Sequence, residues 1–565
     1  MIATVPASQT AELDRKLDSL RSHAASWLSV GIQGRISYLE AIRRRALEVV
    51  PAMMADTIEA KGVGLEYAGE DLISGPISFL RTARFLQDTL QLIGRRGRVA
   101  FSERHVGVRP SGQVTLQVLP ADRWDRVLYQ GWKADVWLDR SVTLADLDSH
   151  LGSIYTKPDQ AAARVALVLG AGNVASIGPL DLLHMLFYEG HVAMLKLNPV
   201  NDYLGPHVER VFGELIEDGF VDMAYGGAEV GSYLSQHEQV DKIHITGASR
   251  THDAIVFGAG EDGAARREAN RPLLDKPITS ELGNVGPVVI VPGDWGSSDL
   301  RNQAEHVATQ IVQNAGFNCN AAKVIVLPAA WPQKVAFMDT LRHVLRERPS
   351  RPSYYPGAEE RFEKFRASHP NVEMLGERRP GVVPPSLLVG VDSEFEHLSF
   401  EEEAFCQIAA TTEVGGADPS AYLDRAVDFC NDSLYGTLNA TVIIDPSTRQ
   451  AIAPAVDRAI SRLRYGTIGI NLWAAAGFVL GVTPWGAYPG HALDDIQSGR
   501  GFVHNARLID RPLKTVIEAP FRIFPKPAWS VYHRNSTDTL TALAAFEAEP
   551  GIRNLAAVVA NAVRY

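Results

Sequence analysis

The spacing of apolar residues divides the chain into a helical beginning and a longer region in which strands and helices alternate. Apolar side chains recur at intervals of three and four among charged residues at positions 11–30 and 35–61, which predicts two amphipathic helices. A turn-rich, arginine-containing stretch follows at positions 94–120, and positions 134–138 form a predicted strand. The opening third is therefore expected to be mainly helical.

From position 163 onward, short apolar runs alternate with amphipathic segments. The predicted strands are 164–170, 192–197, 221–225 and 242–247, and the predicted helices between them are 179–187, 208–217 and 230–236. Strands that alternate with helices need crossover connections, so this region is predicted to form a doubly wound parallel sheet with a nucleotide at its carboxyl edge. Less regular predicted strands at 287–291, 323–327, 440–444 and 467–471, with a helix at 300–313, indicate a second α/β domain. The tail, 537–565, has helical periodicity that is broken near Pro550.

Length, charge and cysteine content narrow the class of protein. At about 150 residues per domain, the 565 residues are enough for three or four structural units. The formal net charge of −11 argues against nucleic acid as the main partner, because phosphate binding needs a concentrated positive field. Three cysteines, Cys319, Cys406 and Cys430, are too few for a disulfide scaffold and fit a reducing compartment. No secretory pattern and no apolar window of about 18 residues is found, so we expect no membrane span and a cytoplasmic location.

One dinucleotide fingerprint is present but incomplete. Gly170-Ala171-Gly172-Asn173-Val174-Ala175 fits the loose G-x-G-x-x-G/A pattern after a strand. The fingerprint expects an acidic residue at the end of the next strand, but that strand ends in Lys196-Leu197-Asn198-Pro199. The pattern is therefore weak evidence for the usual dinucleotide turn. Lys196 has two interpretations, a solvated surface lysine or a cation that pairs with a cofactor ribose or phosphate.

Several separated segments resemble motifs of the aldehyde dehydrogenase superfamily and occur in that family's order. They are Asn173, Lys196, 240–247, 280–287, 314–321, Glu403-Ala404-Phe405, Asn471, Pro484-Trp485-Gly486 and 498–501. The resemblance implies an α/β fold with a Rossmann-type doubly wound cofactor domain, an α/β catalytic domain and a small β oligomerisation element. It predicts a cofactor domain at 1–281, with 122–160 in an oligomerisation arm, a catalytic domain at 282–470, a return to the cofactor domain at 471–512, and an oligomerisation strand with a helical extension at 513–565.

The resemblance also implies three catalytic residues for aldehyde oxidation. Cys319 would be the nucleophile, since a thiolate is well suited to attack a carbonyl carbon, and nearby backbone amides are expected to lower its thiol pKa. Asn173 and the Cys319 backbone amide would stabilise the oxyanion. Glu281 would activate water to release the thioester, provided that apolar surroundings raise its pKa towards neutrality. Cys406 and Cys430 are interpreted as buried and inert.

The cofactor implied by the resemblance is NAD or NADP. Its matched binding residues are Lys196, Thr246, Gly247, Ala248, Leu282, Glu403 and Phe405. The chain departs from the family pattern at Phe317, Cys406, Asn284 and Val285, where the family has glutamine, glycine, glycine and lysine. Pro199 stands where the family often has an acid, and without that carboxylate NADP is expected to be tolerated beside NAD. The 16 histidines show no metal-ligand spacing, so no metal is expected.

Two other functions stay open at this point. An acyl-CoA- or acyl-phosphate-linked reductase of the same superfamily would use Cys319 without a water-activating base, and Glu281 argues against it. A catalytically silent scaffold could keep the fold without the activity. The expected partners are a small aldehyde and further copies of the chain, in a homodimer or homotetramer joined through a strand at 513–523.

Overall fold

A layer of helices precedes the sheets. The computed structural model describes residues 5–564, and its first two helices, Thr10–Ser29 and Ile32–Lys61, confirm the predicted periodicity. Leu13, Leu17 and Leu20 lie on the buried face of the first helix because residues three and four apart share one side of a helix. This layer packs against the first of two sheets.

Within residues 5–564 the structure has seventeen strands, numbered here β1 to β17 along the chain. They are β1 (Val106–Val108), β2 (Val114–Leu119), β3 (Lys133–Leu138), β4 (Val165–Leu169), β5 (Val192–Lys196), β6 (Val221–Ala224), β7 (Lys242–Gly247), β8 (Ile278–Leu282), β9 (Gly286–Ile290), β10 (Ala322–Pro328), β11 (Val372–Met374), β12 (Ser386–Val391), β13 (Ile408–Val414), β14 (Asn439–Ile443), β15 (Thr467–Ile470), β16 (Gly499–Arg500) and β17 (Pro512–Glu518).

The first sheet is the predicted doubly wound sheet. Its order is β16-β8-β7-β4-β5-β6, and every neighbouring pair is parallel except β16 with β8. Strands β4 and β5 are buried along their whole length because helices cover both faces, which explains their continuous apolar sequences. β16, from the predicted return segment 471–512, completes this sheet beside β8.

The second sheet contains strands from both ends of the chain. Its order is β1-β2-β3-β17-β15-β14-β9-β10-β13-β12-β11, with a parallel centre and antiparallel strands at either end. β17, which lies in the predicted oligomerisation strand, pairs with β15 on one side and with β3 on the other. Both of its edges are therefore occupied within the chain, and the predicted role of this strand in joining two copies stays a prediction.

The α-helices fall into four groups along the chain. The N-terminal layer has Thr10–Ser29, Ile32–Lys61, Ala68–Leu72 and Ser78–Arg96. The first sheet and its approach have Asp125–Leu128, Ser153–Thr156, Ile177–Leu183, Gly205–Val211, Gly213–Glu217, Ala228–Gln236, Ser249–Phe257 and Gly260–Glu268. The second sheet has Ser297–Val312, Lys334–Arg346, Ala358–Ala367, Leu398–Glu401, Pro419–Asp432, Pro446–Ala451, Ala453–Arg462 and Ala476–Val479. The C-terminal pair is Ser536–Ala548 and Ile552–Ala562, broken at the predicted place.

Two details differ from the sequence predictions. The segment predicted as turns at 94–120 contains β1 and β2, which form because they pair in series with β3. The helix predicted at 208–217 is divided into Gly205–Val211 and Gly213–Glu217. No helix among residues 5–564 is both long and apolar enough to cross a membrane.

Candidate active site

A tight turn carries Cys319 to the amino end of β10. Helix Ser297–Val312 is followed by Asn314 and Ala315 in the left-handed region, with φ of 52° and 54°. Gly316 has a φ of 75°, and a Cβ there would lie 2.5 Å from the carbonyl carbon of Cys406, so the turn requires glycine. The tight turn between the helix and β10 therefore fixes the position of Cys319.

The Cys319 thiol lies beside the carboxylate of Glu281, and each group shifts the pKa of the other. Glu281 lies on β8 of the first sheet and is only 4% exposed, whereas Cys319 precedes β10 of the second sheet. Burial raises the pKa of Glu281 to about 7, although the thiol and the neighbouring Trp485 indole oppose that rise. The two sheets thus bring together two of the three residues predicted to be catalytic.

The thiol differs from the sequence prediction in one respect. Burial raises the pKa of Cys319 well above its usual range, and the negative charges of Glu281 and Glu403 add to this effect. The expectation that backbone amides lower the pKa of this thiol is therefore wrong, because their contribution is small beside desolvation. In the free protein Cys319 is a thiol, and its proton needs an acceptor.

Asn173 lies against the same turn, as the sequence predicts. Its side-chain Nδ2 donates to the carbonyl of Phe317 at 2.9 Å, and its own carbonyl accepts from Asn314 Nδ2 at 3.1 Å and from the Tyr354 hydroxyl at 3.2 Å. A side-chain amide has two donor hydrogens, so one is available for a substrate oxyanion. All three predicted catalytic residues thus meet at one place.

A buried ionic group supports this turn, and sequence reasoning missed it. Lys61 donates to Asn314 Oδ1 at 2.8 Å while paired with Asp71. Glu70 accepts from the Asn314 backbone amide at 2.6 Å and is paired with Arg351 at 2.8 Å. These charges come from the N-terminal helices and the proline-rich loop at 349–356, so only the tertiary fold brings them to Asn314. No local pattern marks them.

Glu403 and Phe405 also lie near Cys319. A Cβ on Gly283 would lie 1.9 Å from Glu403 Oε2, so glycine is required for the carboxylate to occupy this place. Burial raises the pKa of Glu403 to about 7, against the opposing charges of Lys323 and Arg361. Phe405, with a φ of 43°, packs at 5.0 Å from the Tyr355 ring.

The remaining predicted cofactor residues line the carboxyl edge of the first sheet. Lys196 ends β5, and burial lowers its pKa to about 8. Ala248 is the residue before helix Ser249–Phe257, whose N-terminal amides suit an anionic group, and Gly247 precedes it. Leu282 lies beside Gly247 in the strand register. The Thr246 hydroxyl is already engaged, because it donates to Asp181 at 3.0 Å.

The two remaining cysteines lie in the core, and the described residues contain no group of side chains suited to a metal ion. Cys406 and Cys430 are both buried, and burial raises the pKa of Cys406 to about 11. Their surroundings match the inert role that the sequence predicts for them. Among residues 5–564 no three histidine, cysteine, aspartate or glutamate side chains are grouped so that they could hold a metal ion.

Fold and site together define an α/β protein in which a thiol and a buried carboxylate meet between a doubly wound sheet and a second sheet. The aldehyde dehydrogenase family model matches residues 203–349. Aminoaldehyde dehydrogenase 2 of Zea mays is 24% identical over 344 residues, which cover 57% of this chain and 58% of that protein. The matched part therefore spans little more than half of this relative.

Solved structures give the same fold. The betaine aldehyde dehydrogenase of Staphylococcus aureus in complex with NAD+ superposes with a TM-score of 0.62 at 15% identity, covering 93% of each chain. The NADP-dependent glyceraldehyde-3-phosphate dehydrogenase of Bacillus halodurans, complexed with NADP, gives 0.59 at 15% identity, covering 91% of this chain and 92% of that one. In sequence, part of this chain is thus similar to aldehyde dehydrogenases, and over most of its length the chain shares the fold of the solved aldehyde dehydrogenase structures.

Proposed function

We propose that this protein oxidises an aldehyde to a carboxylic acid with NAD or NADP, through a covalent thioester on Cys319. The observation that carries the proposal is the close approach of the half-buried Cys319 thiol to the buried carboxylate of Glu281, where the two sheets meet. A thiol and a carboxylate in this contact supply a nucleophile and a base within reach of one substrate carbon.

The first step is the addition of the thiol to the aldehyde. Glu281 takes the proton from Cys319 as the sulfur bonds to the carbonyl carbon, and the carbonyl electron pair moves to the oxygen. The resulting oxyanion is stabilised by Asn173 Nδ2 and by the backbone amide of Cys319. Losing one such donor typically raises the barrier by about 3 kcal/mol.

The predicted cofactor residues fit a nicotinamide cofactor. Lys196 and the N-terminus of helix Ser249–Phe257 would hold its anionic and ribose groups, and Glu403, with a buried Oε1 that has no hydrogen-bond partner in the described chain, would accept from a second ribose. When bound, NAD or NADP supplies the hydride acceptor for the substrate carbon. The protein is then left with an acyl group on the Cys319 sulfur.

The last step is hydrolysis of this thioester. Glu281 first releases to solvent the proton that it took from Cys319. It then accepts a proton from water as the water oxygen attacks the acyl carbon, and this proton passes to the sulfur as the C–S bond breaks, which restores the thiol. A carboxyl group whose pKa is about 7 suits this work, because near neutral pH it is both partly ionised and basic enough to take a proton.

The other functions account less well for the site. An acyl-CoA- or acyl-phosphate-linked reductase needs no water-activating base, whereas Glu281 is buried against the thiol. A silent scaffold needs neither group. We also propose that the protein is a cytoplasmic homodimer or homotetramer.

Replacement of the two central residues tests the proposal. Cys319→Ala is expected to abolish NAD(P)H formation across a panel of aldehydes of varied chain length and aromaticity, assayed with both cofactors. Glu281→Gln is expected to keep a slower first turnover of NAD(P)H, because water can accept the Cys319 proton in place of the carboxylate, and to slow the steady state by about 100-fold or more. Cys430→Ala is the matched control, since this free thiol is buried and lies far from Glu281 along the chain. Retained turnover in Cys319→Ala would refute the proposal.

A further inference from the structure

Two buried side-chain amides hold the backbone of the nucleophile. Asn284 Nδ2 donates to the carbonyl of Cys319 at 2.7 Å and to Asn439 Oδ1 at 3.0 Å. Asn439 Nδ2 in turn donates to the carbonyl of Asn320 at 3.3 Å, which also accepts from Trp473 Nε1 at 2.8 Å. The carbonyls of Cys319 and its successor are thus both fixed by side chains from outside the turn.

Asn284 connects the base and the nucleophile physically. It lies in the short loop between β8, which carries Glu281, and β9. The family has a glycine at this position, and a glycine could not make either bond. Asn284 is closely packed against Gly436, because a Cβ on that glycine would lie 2.6 Å from the Asn284 Cβ. Asn284 is fully buried and Asn439 is 3% exposed, so neither amide has water as an alternative partner.

We propose that Asn284 and Asn439 are positioning residues that set the orientation of Cys319 relative to Glu281. The proposal rests on the catalytic roles given above. Fixing the Cys319 carbonyl fixes the rotation of the peptide that follows the nucleophile, and with it the direction in which the backbone presents the thiol. Asn284 belongs to the loop that follows β8, the strand of Glu281, and it is hydrogen-bonded to the turn before β10, the strand that follows Cys319. A shift at the end of β8 would therefore move the start of β10 with it.

A merely structural pair of amides would affect stability but not the reactivity of the thiol. A small misplacement of reacting groups can cost about 100-fold in rate, so a positioning role predicts a large effect on the chemical steps. The second-order rate of Cys319 alkylation by iodoacetamide reports on the thiol without any aldehyde. The rate of the first turnover of NAD(P)H reports on addition and hydride transfer, and KM reports on substrate binding.

Asn284→Ala is the central variant. It is expected to slow alkylation of Cys319 and the first turnover by about 10-fold or more each, with KM changed by less than about threefold. Asn439→Ala removes only the partner amide and should give a smaller loss of the same kind. In the double variant the losses should be less than additive, because both side chains act through one hydrogen-bonded pair.

Asn505→Ala is the matched control. Asn505 is also a buried asparagine whose Nδ2 donates to a backbone carbonyl, that of Ile509 at 2.7 Å, but it lies outside the site. Unchanged alkylation and first-turnover rates in Asn284→Ala would overturn the proposal, even with a lowered thermal midpoint. If Asn284→Ala does not fold, the alkylation and first-turnover rates of Asn439→Ala test the proposal instead, and unchanged rates there would overturn it. The proposed function is tested separately. If the wild type turns over aldehyde and Cys319→Ala does not, the proposed function stands whatever the result for Asn284→Ala.

Discussion

Two buried clusters of charge in this molecule are built in opposite ways. In the Arg81 cluster, defined by Arg81, Arg84, Asp125 and Glu547, each charge meets an opposite one. Arg81 binds both Asp125 oxygens and Glu547 at 2.9 Å, and Arg84 binds Glu547 at 2.8 Å. In the Cys319 site, Glu281 instead faces a neutral thiol, and burial raises its pKa to about 7.

The difference separates a structural use of charge from a chemical one. Arg81, Asp125 and Glu547 are fully buried and join an N-terminal helix, the approach to β3 and the C-terminal helix Ser536–Ala548. Paired charges of this kind hold the elements together. An unpaired buried carboxylate gives up stability but can take and release a proton near neutral pH. Glu281 is thus left without a cation at the place where the proposed reaction moves a proton.

Removing one partner from the Arg81 cluster should have the largest effect on folding. Glu547→Ala leaves two buried arginines short of a partner, and breaking a buried pair typically costs about 3 to 5 kcal/mol. We expect a clearly lowered midpoint of thermal unfolding, with unchanged turnover per folded molecule. Glu549→Ala, which removes an exposed carboxylate at the end of the same helix, is the control. An unchanged midpoint in Glu547→Ala would show that the cluster does not stabilise the fold.

Replacing the unpaired carboxylate should have the opposite and smaller effect. Burial raises the pKa of Glu281 above its ordinary value, so the folded protein binds this proton more tightly than the unfolded chain does. The stability that the protonated form contributes is present below the ordinary pKa of 4.5 and is lost as the pH rises through about 7. Glu281→Gln has no carboxyl group to ionise at this position, so it does not lose this folding stability as the pH rises.

The advantage of Glu281→Gln over the wild type should therefore grow with pH, by about 2 kcal/mol between about pH 5 and about pH 8. Denaturant unfolding of both proteins at each pH measures it. An advantage that is constant across this range would mean that Glu281 is not held at a raised pKa, and the contrast between the two clusters would fail.

Much of the fold is visible in the sequence because its elements are locally periodic. Strands β4 and β5 are continuous apolar runs, and helix Ser297–Val312 has buried positions at helical spacing, so all three are predicted to within three residues at each end. β1 and β2 were not predicted, because their pairing with β3 is a tertiary property. The same holds for the pairing of β17 within its own chain, which no local pattern indicates.

The candidate site divides in the same way. Cys319, Glu281 and Asn173 lie in short motifs whose order along the chain is informative, and the structure brings them together. The charged side chains that support these residues do not lie in recognisable motifs. Lys61, Glu70 and Arg351 come from distant segments and meet only around Asn314. The direction of the thiol pKa shift was predicted wrongly for a related reason. The Gly- and Asn-rich sequence around Cys319 contains no sign of the buried Glu281 and Glu403.

The central claim is that the Cys319 sulfur carries the substrate as a thioester until Glu281 releases it. The most direct test is peptide mass analysis of the Glu281→Gln protein, quenched with acid after mixing with a reactive aldehyde and NAD or NADP. We expect an added acyl mass on the peptide that contains Cys319 and none on those that contain Cys406 or Cys430. An aldehyde that is oxidised without any acyl mass on Cys319 would contradict it.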